Sequence, residues 1–180
     1  MRELSLHILD ALENSLEAGA SRVTLTIEED LIADRMAITI TDDGRGMDAE
    51  TVKKVLDPFF TTRTTRHVGL GLPLFAAAAR RCNGDLSIES EVGRGTTVQA
   101  TFQHSHIDRA PLGNIRDSLL SFLLAAREVD LHYAHRVAGR QFDFDTAEMR
   151  AELGDVPLSH PAVREWLSEF IAEGEREITA

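Results

Sequence analysis

Two adjacent carboxylates and two glycines form a turn that could carry chemistry, at Asp42, Asp43, Gly44 and Gly46. The alternating run at residues 36–41 predicts a strand, so Asp42 stands at a strand end. A carboxylate there can accept a hydrogen bond from an amino group, and glycine lets the backbone bend or a ligand approach. Acidic glycine turns are also common in hairpins. The turn therefore predicts a binding site only if other segments complete it.

A second glycine pair, Gly69 and Gly71, precedes an alanine-rich predicted helix. The free N–H groups and the dipole at a helix N-terminus favour anions such as phosphate. Just before it, residues 61–67 contain four threonines, Arg63 and Arg66 without apolar periodicity, which predicts an exposed loop. Either arginine could donate two hydrogen bonds to a phosphate, or it could be an ordinary solvated base.

The elements that must position these residues can be read from hydrophobic periodicity. Residues 2–18 predict an amphipathic helix that carries Asp10 and Asn14 one turn apart, and Gly19 ends it. Residues 22–27 alternate and should form an antiparallel pair with the strand that precedes Asp42. Two more strands are predicted at residues 85–90 and 96–102. Strands and helices in this order indicate an α+β fold.

Composition narrows the class of protein. The chain has 180 residues, of which 43% are hydrophobic, a net charge of −11 and a single cysteine. The hydrophobic fraction is high enough for the chain to form a hydrophobic core. Because the sequence has no stripe of basic residues, no nucleic-acid partner is expected. The longest apolar runs are shorter than the ~20 residues that cross a bilayer, so no membrane association is expected. A lone cysteine fits a reducing compartment, and a cytoplasmic location is expected.

Several motifs, taken in order, resemble those of the GHKL ATPase superfamily, which includes DNA gyrase, MutL, heat-shock chaperones and histidine kinases. They are LENSLEAGAS, DDGRGM, DPFFTT, GLGLPLF and GRGTTV, and the resemblance covers roughly residues 2–103. DPFFTT and GLGLPLF look most like histidine kinases, and LENSLEAGAS looks more like MutL. The resemblance implies the Bergerat ATP-binding fold at residues 1–105. That fold is a two-layer α/β sandwich, with a mixed or antiparallel sheet and helices on one face.

The resemblance also implies a site for ATP and Mg²⁺. Asn14 resembles the asparagine whose side-chain oxygen binds Mg²⁺, a hard cation that prefers oxygen ligands. Asp42 resembles the aspartate that accepts a hydrogen bond from the adenine amino group, and Thr96 would support the base. Gly44 and Gly46 would let the base lie against backbone, whereas Asp43 is expected to be a solvated turn residue. The phosphates and their lid would involve Thr62, Arg63, Arg66, Gly69, Leu70 and Gly71.

Asp10 is the candidate general base. In MutL-like, gyrase-like and anti-sigma members of the superfamily a glutamate four residues before the asparagine has this role, and Asp10 has that spacing from Asn14. Aspartate is one methylene shorter than glutamate, so the open question is whether its carboxylate reaches the reacting group. The alternative is that Asp10 is a solvated acid on the helix surface. His7, one turn earlier, is expected to be structural or solvated rather than catalytic.

A histidine after the last of these strands is the candidate phosphoacceptor. His106, Arg109, Pro111 and Leu112 have the spacing of the kinase motif HELRTPL, although they follow the domain instead of preceding it. The alternative is a linker whose proline ends the strand.

Residues 106–180 are expected to form a second, small α+β unit of unknown role. It contains an apolar-faced helix from Asn114, a hairpin around Ala138 and Gly139, and a last helix capped by Ser159. The apolar stripe of that last helix, which includes Trp166, should pack on the hairpin, or alternatively form a docking or dimer surface.

Two functions follow from the resemblance. The first is a Mg-ATP-dependent phosphotransferase, histidine- or serine-kinase-like, that acts on a separate protein partner in signalling. The alternative is a nucleotide-controlled protein-binding switch with slow ATP hydrolysis. Either is compatible with a homodimer.

Overall fold

The computed structural model describes residues 3–57, 71–126 and 128–180. Within them the chain forms six helices and six strands. In chain order these are α1 (Leu4–Glu17), β1 (Arg22–Asp30), β2 (Arg35–Asp42), α2 (Ala49–Lys54), α3 (Gly71–Arg81), β3 (Leu86–Glu91), β4 (Gly95–Gln103), α4 (Ile115–Ala125), β5 (Asp130–Val137), β6 (Arg140–Asp145), α5 (Thr146–Leu153) and α6 (Pro161–Thr179).

All six strands belong to one mixed sheet with the order β3-β4-β2-β1-β5-β6. The pair β1 and β5 is parallel, and every other neighbouring pair is antiparallel. The predicted pairing of the first two strands is confirmed, with Leu25 opposite Ile40. The α+β fold class with a mixed sheet is therefore confirmed.

The sheet has one apolar and one polar face because apolar residues alternate with polar ones along its strands. Val23, Leu25 and Ile27 of β1 are completely buried, whereas the threonines between them point to the other face and are half-buried. The apolar face shares one core cluster with residues from helices α1, α3, α4 and α6. Helices thus cover one face, as expected for a two-layer sandwich.

The C-terminal part extends the sheet across the predicted boundary at residue 106. Strand β5 pairs with β1 over eight residues, from Arg22 opposite Asp130 to Glu29 opposite Val137. The predicted hairpin of β5 and β6 is confirmed, and Ile171 of α6 lies in the same core as the first strands. A division into two domains stays a prediction, but the two parts share one sheet and one core.

Helix α1 is held by the segment that leaves β4. Its N-cap residue Glu3 makes no side-chain capping bond, so its first N–H groups need other acceptors. The N–H groups of Leu4 and Ser5 donate to the carbonyl oxygens of Pro111 and Leu112, at 2.9 and 2.8 Å. Ser118 Oγ, on α4, donates to the Ser5 carbonyl oxygen at 3.0 Å in a buried contact. The C-terminal part therefore fixes the helix that carries Asp10 and Asn14.

One predicted cap is wrong by a residue. The last helix is capped by His160 rather than Ser159, because His160 Nδ1 accepts from the Ala162 N–H at 3.2 Å and Pro161 occupies the first turn. Among the described residues no helix combines the length and the apolar composition that crossing a bilayer requires.

Candidate functional site

A cavity of about 350 Å³ opens between α1, the end of β2, α2, the start of α3 and the turn between β3 and β4. This volume lies at the lower end of the ~300–1,000 Å³ typical of small-molecule sites. Its walls combine apolar side chains with a few polar ones, which is the composition that such sites share. The main apolar wall residues are Ile40, Met47, Val55, Leu72 and Val98.

Asp42 is one of three acidic residues that line this cavity, with Glu17 and Asp48, and two donors fix its orientation. Ser15 Oγ donates to Asp42 Oδ2 at 2.8 Å, and the Gly44 N–H donates to Asp42 Oδ1 at 2.9 Å. Ser15 is buried on α1, 27 positions away in sequence. Because an ionised carboxylate can accept about four hydrogen bonds, Asp42 retains acceptor capacity toward the cavity.

The two glycines of the turn are required first by the packing of the turn itself. A Cβ on Gly46, whose φ is +68°, would lie 1.9 Å from the Glu91 carbonyl oxygen, and one on Gly44 would lie 2.8 Å from the Ala18 carbonyl oxygen. The turn is thus wedged between the end of α1 and the turn between β3 and β4, where the Gly93 N–H donates to the Arg45 carbonyl oxygen at 2.7 Å. That a base lies against these glycines stays a prediction.

Asp43 is exposed but is more than the solvated turn residue expected from the sequence. Its carboxylate accepts from Ser21 Oγ at 2.6 Å and from the N–H groups of Ser21 and Arg22, at 2.8 and 3.0 Å. The hydrogen bond from the Ser21 hydroxyl is the main cause of the lowered pKa of Asp43. Asp43 therefore anchors the start of β1, which the sequence did not reveal because Ser21 lies 22 positions away.

Asn14 and Asp10 lie one turn apart on α1, beside the start of α3. Asn14 lines the cavity together with Gly71, the first residue of α3. A Cβ on Gly71 would lie 3.3 Å from Asp10 Cβ, so glycine allows α3 to begin directly against Asp10. The structure therefore brings Asn14, Asp10 and a helix N-terminus together at one end of the cavity.

Five of the predicted site residues fall in a part of the chain that the structure does not describe. They are Thr62, Arg63, Arg66, Gly69 and Leu70. Their roles stay predictions.

Thr96 lies in a row of polar residues across three strands. It pairs with Asp42 of β2 on one side and with Ser90 of β3 on the other, and it lines the cavity as Asp42 does. Ser90 Oγ contacts Thr96 Oγ1 at 2.8 Å and accepts from the Met47 N–H at 2.8 Å. Ser15 and Ser90 were missed in the sequence. The sequence feature that could have identified them is a serine at a position where the hydrophobic periodicity of the helix or strand predicts an apolar residue.

The two histidines considered in the sequence lie outside the cavity. His7 is buried and its ring stacks on Phe75 at 5.2 Å between centroids, and burial lowers the pKa of His7 to about 4. This agrees with a structural role. His106 follows the far end of β4, whereas Thr96 lies at the near end. The seven steps from Thr96 to Gln103 at ~3.3 Å each place the two ends of this strand roughly 23 Å apart.

Comparison with known proteins gives a family match over the part of the chain that builds the cavity. A family model described as histidine kinase-, DNA gyrase B- and HSP90-like ATPase matches residues 2–106. Sporulation kinase C of Bacillus subtilis is 32% identical over 97 residues, which are 54% of this chain and 22% of that kinase. Sensor protein kinase FleS of Pseudomonas aeruginosa is 37% identical over 110 residues, which are 61% of this chain and 27% of that kinase. The chain thus spans about a quarter of the length of these relatives.

A solved structure resembles a larger part of the chain. The crystal structure of the N-terminal domain of a DNA repair protein superposes with a TM-score of 0.54, covering 79% of this chain and 52% of that one. The sequence identity is 14%, so the likeness concerns the fold alone.

Proposed function

The chain belongs to the family of histidine kinase-, DNA gyrase B- and HSP90-like ATPases, and we propose that it binds Mg-ATP in the cavity beside Asp42. The observation that carries the proposal is the orientation of the Asp42 carboxylate. Ser15 and Gly44 hold it between apolar walls, where it can accept a hydrogen bond from the amino group of a purine.

The residues present fit the adenine end of the nucleotide. A planar base requires apolar surface on its faces and a few polar groups at its edge. Ile40, Met47 and Val98 supply such surface, and Asp42 and Thr96 supply the polar edge. The cavity therefore offers what an adenine ring needs.

The phosphate end is formed by Asn14 and the start of α3. The N–H groups and the dipole of an eleven-residue helix that begins at Gly71 favour phosphate oxygens. No group of three or more His, Cys, Asp or Glu among the described residues is arranged to hold a metal ion. Mg²⁺ usually binds through one or two side chains together with substrate phosphates, so Asn14 would hold it jointly with the nucleotide. When bound, the ion neutralises phosphate charge.

We further propose that the reaction is phosphoryl transfer to a separate protein, with Asp10 as the general base. Two similar proteins are named as kinases, and Asp10 lies beside the start of α3, at the proposed phosphate end. His106 follows the far end of β4, where the Gln103 N–H donates to the Cys82 carbonyl oxygen just after α3. The proposed phosphate end lies at the start of α3, and eleven helical residues at ~1.5 Å each separate the two ends of that helix by roughly 15 Å. Transfer to His106 of the same chain is therefore not expected in this conformation. Transfer to His106 would require a second copy of the chain.

Calorimetry with Mg-ATP tests the binding proposal. The parent protein should bind ATP, and Asp42→Asn and Asn14→Ala should each weaken binding at least about tenfold, because each removes a contact to a charged or strongly polar group. Asp155→Asn, which changes an exposed aspartate after α5, is the matched control and should leave affinity unchanged. A parent protein that binds no ATP contradicts the proposal, as do Asp42→Asn and Asn14→Ala variants that bind like the parent.

Incubation with γ-labelled ATP and host lysate then separates the two functions. Label on another protein supports the phosphotransferase, and free phosphate alone supports the nucleotide-controlled switch. Label on the chain itself that is lost in His106→Ala supports transfer between copies.

A further inference from the structure

Three polar side chains stand side by side at the purine end of the cavity. Asp42 pairs with Thr96 across β2 and β4, and Thr96 pairs with Ser90 across β4 and β3. All three follow the alternation that places Ile40, Val98 and Leu86 on the helix-covered face. Because paired residues on neighbouring strands share a face, the row faces the cavity side of the sheet.

Ser90 Oγ makes three hydrogen-bond contacts in this row. The Met47 N–H donates to it at 2.8 Å, the Gly95 carbonyl oxygen lies 3.0 Å from it, and Thr96 Oγ1 lies 2.8 Å from it. A serine hydroxyl has one hydrogen to donate and two lone pairs that accept. Ser90 therefore has just enough capacity for all three contacts.

Counting hydrogens gives each bond a direction. A backbone N–H can only donate and a carbonyl oxygen can only accept, so Ser90 accepts from Met47 and donates to Gly95. The remaining contact then needs Thr96 as the donor. The hydroxyl hydrogen of Thr96 points at Ser90, and only lone pairs of Thr96 Oγ1 remain for the cavity.

We propose that Ser90 is a positioning residue that makes the purine end of the site acceptor-only and thereby selects 6-amino over 6-oxo purine nucleotides. The proposal rests on the proposed binding of ATP in this cavity. Asp42 accepts through its carboxylate and Thr96 accepts through Oγ1, so both suit an exocyclic amino group. The 6-oxo oxygen of inosine or guanosine triphosphate is itself an acceptor, and it would face two further acceptors with no hydrogen available for a bond. The site therefore disfavours these nucleotides.

Removal of Ser90 should change selectivity rather than affinity alone. In Ser90→Ala the Thr96 hydroxyl loses its acceptor and can rotate to donate into the cavity, where it would bind a 6-oxo group. Ser90→Thr retains a hydroxyl and should behave as the parent. Ser87→Ala, an exposed position on the same strand and the opposite face, is the matched control.

The experiment is calorimetric titration of the full chain with ATP and with inosine triphosphate, both with Mg²⁺. The parent should bind ATP at least about tenfold more tightly than inosine triphosphate, which is the effect of about one strong hydrogen bond. Ser90→Ala should lower this ratio at least about fivefold by tightening inosine triphosphate, and Ser90→Thr and Ser87→Ala should preserve it. If Ser90→Ala does not fold, Thr96→Val should lower the ratio because it removes the second acceptor.

A Ser90→Ala variant that weakens both nucleotides equally, with an unchanged ratio, overturns this inference and leaves ATP binding intact. The same holds for a parent that binds both nucleotides equally. A parent that binds neither nucleotide overturns the proposed function itself.

Discussion

At the residue scale, Asp42 and Asp43 show how neighbouring carboxylates acquire different roles. Asp42 points to the helix-covered side, where Ser15 and Gly44 orient it beside the cavity. Asp43 points away and binds Ser21 and the Arg22 N–H at the start of β1. The alternation of side chains along a strand separates the two. One is thus available to a ligand and the other anchors the fold.

The role of Asp10 can be tested at the same scale. Asp10→Asn keeps the size of the side chain but cannot accept a proton, so turnover of γ-labelled ATP should fall about 10²-fold or more. ATP affinity should stay within about twofold of the parent, because the contacts proposed for Asp42 and Asn14 to the nucleotide are unchanged. The measurement is the rate of label transfer or release at saturating ATP. Asp155→Asn is the control, and an unchanged rate in Asp10→Asn would assign Asp10 to a structural role.

At the element scale, the turn after β2 joins three parts of the site. Its Arg45 N–H donates to the Ala18 carbonyl oxygen of α1 at 2.9 Å, and its Arg45 carbonyl oxygen accepts from the Gly93 N–H. Its Met47 N–H donates to Ser90 of β3. Since these partners lie at the end of α1, on β3 and on the turn between β3 and β4, movement of any one would shift the acceptors of the cavity.

Gly46→Ala tests this close packing. The new Cβ would meet the Glu91 carbonyl oxygen at 1.9 Å and would also occupy a residue with φ of +68°. We expect the free energy of unfolding in urea to fall by at least about 2 kcal/mol. Gly139→Ala is the matched control, because Gly139 has φ of +83° with nothing within 4 Å of its Cβ, and should cost only about 1 kcal/mol. Equal losses in the two variants would contradict the packing argument.

At the scale of the whole molecule, a partly buried network of polar groups joins the ends of distant elements. Glu29 of β1 contacts His104 at 2.7 Å and His135 of β5 at 2.9 Å. His135 contacts Glu175 of α6 at 2.8 Å, and Glu175 accepts from the Tyr133 hydroxyl at 2.7 Å. Both ring nitrogens of His135 thus face carboxylates in a fully buried site. Because breaking one partner of such a buried pair leaves an uncompensated charge, these contacts hold β5 and α6 on the first strands.

These contacts of His135 predict that the stability of the protein depends on pH. Burial alone would lower the pKa of His135, but its hydrogen bonds with Glu175 and Glu29 outweigh burial and raise the pKa from 6.5 to about 9. A raised pKa contributes stability that is complete below the unfolded value and is lost as pH rises through the folded value. We therefore expect the free energy of unfolding to fall by about 3 kcal/mol between about pH 6.5 and pH 9.

Urea unfolding at a series of pH values measures this loss. His135→Gln should be less stable than the parent at about pH 6 and should lack the decline toward alkaline pH. His132→Gln, on the same strand and the opposite face, should retain the decline. A parent whose stability is flat across this window would show that His135 is not protonated in the folded protein.

Low pH should also reduce stability, through protonation of Glu29 in the same network of polar groups. Its hydrogen bond with His135 is the largest cause of its lowered pKa, and burial acts in the opposite direction. The pKa falls from 4.5 to about 2. This contribution is present above about pH 4.5 and is lost as pH falls toward 2.

The sequence by itself determined the elements and the chemical types in the site. Alternation in residues 22–27 and 36–41 produced the correct hairpin, because a half-buried strand must place apolar residues on one face. The positions of Asp42, Asn14 and Gly71 around one cavity also agree with the motifs. These features are local or follow from motif order, and so they can be read from one chain.

Only the tertiary structure decided which distant residues meet. Ser15 contacts Asp42 across 27 positions, and the parallel pairing of β5 with β1 unites the two predicted units in one sheet. The alternation of β5 specifies a strand but not its neighbour, because apolar faces are compatible with many pairings until side chains pack. The direction of the Thr96 hydroxyl likewise depends on Met47, Ser90 and Gly95 meeting at one point. Strand register brings them together, and register is a property of the packed sheet.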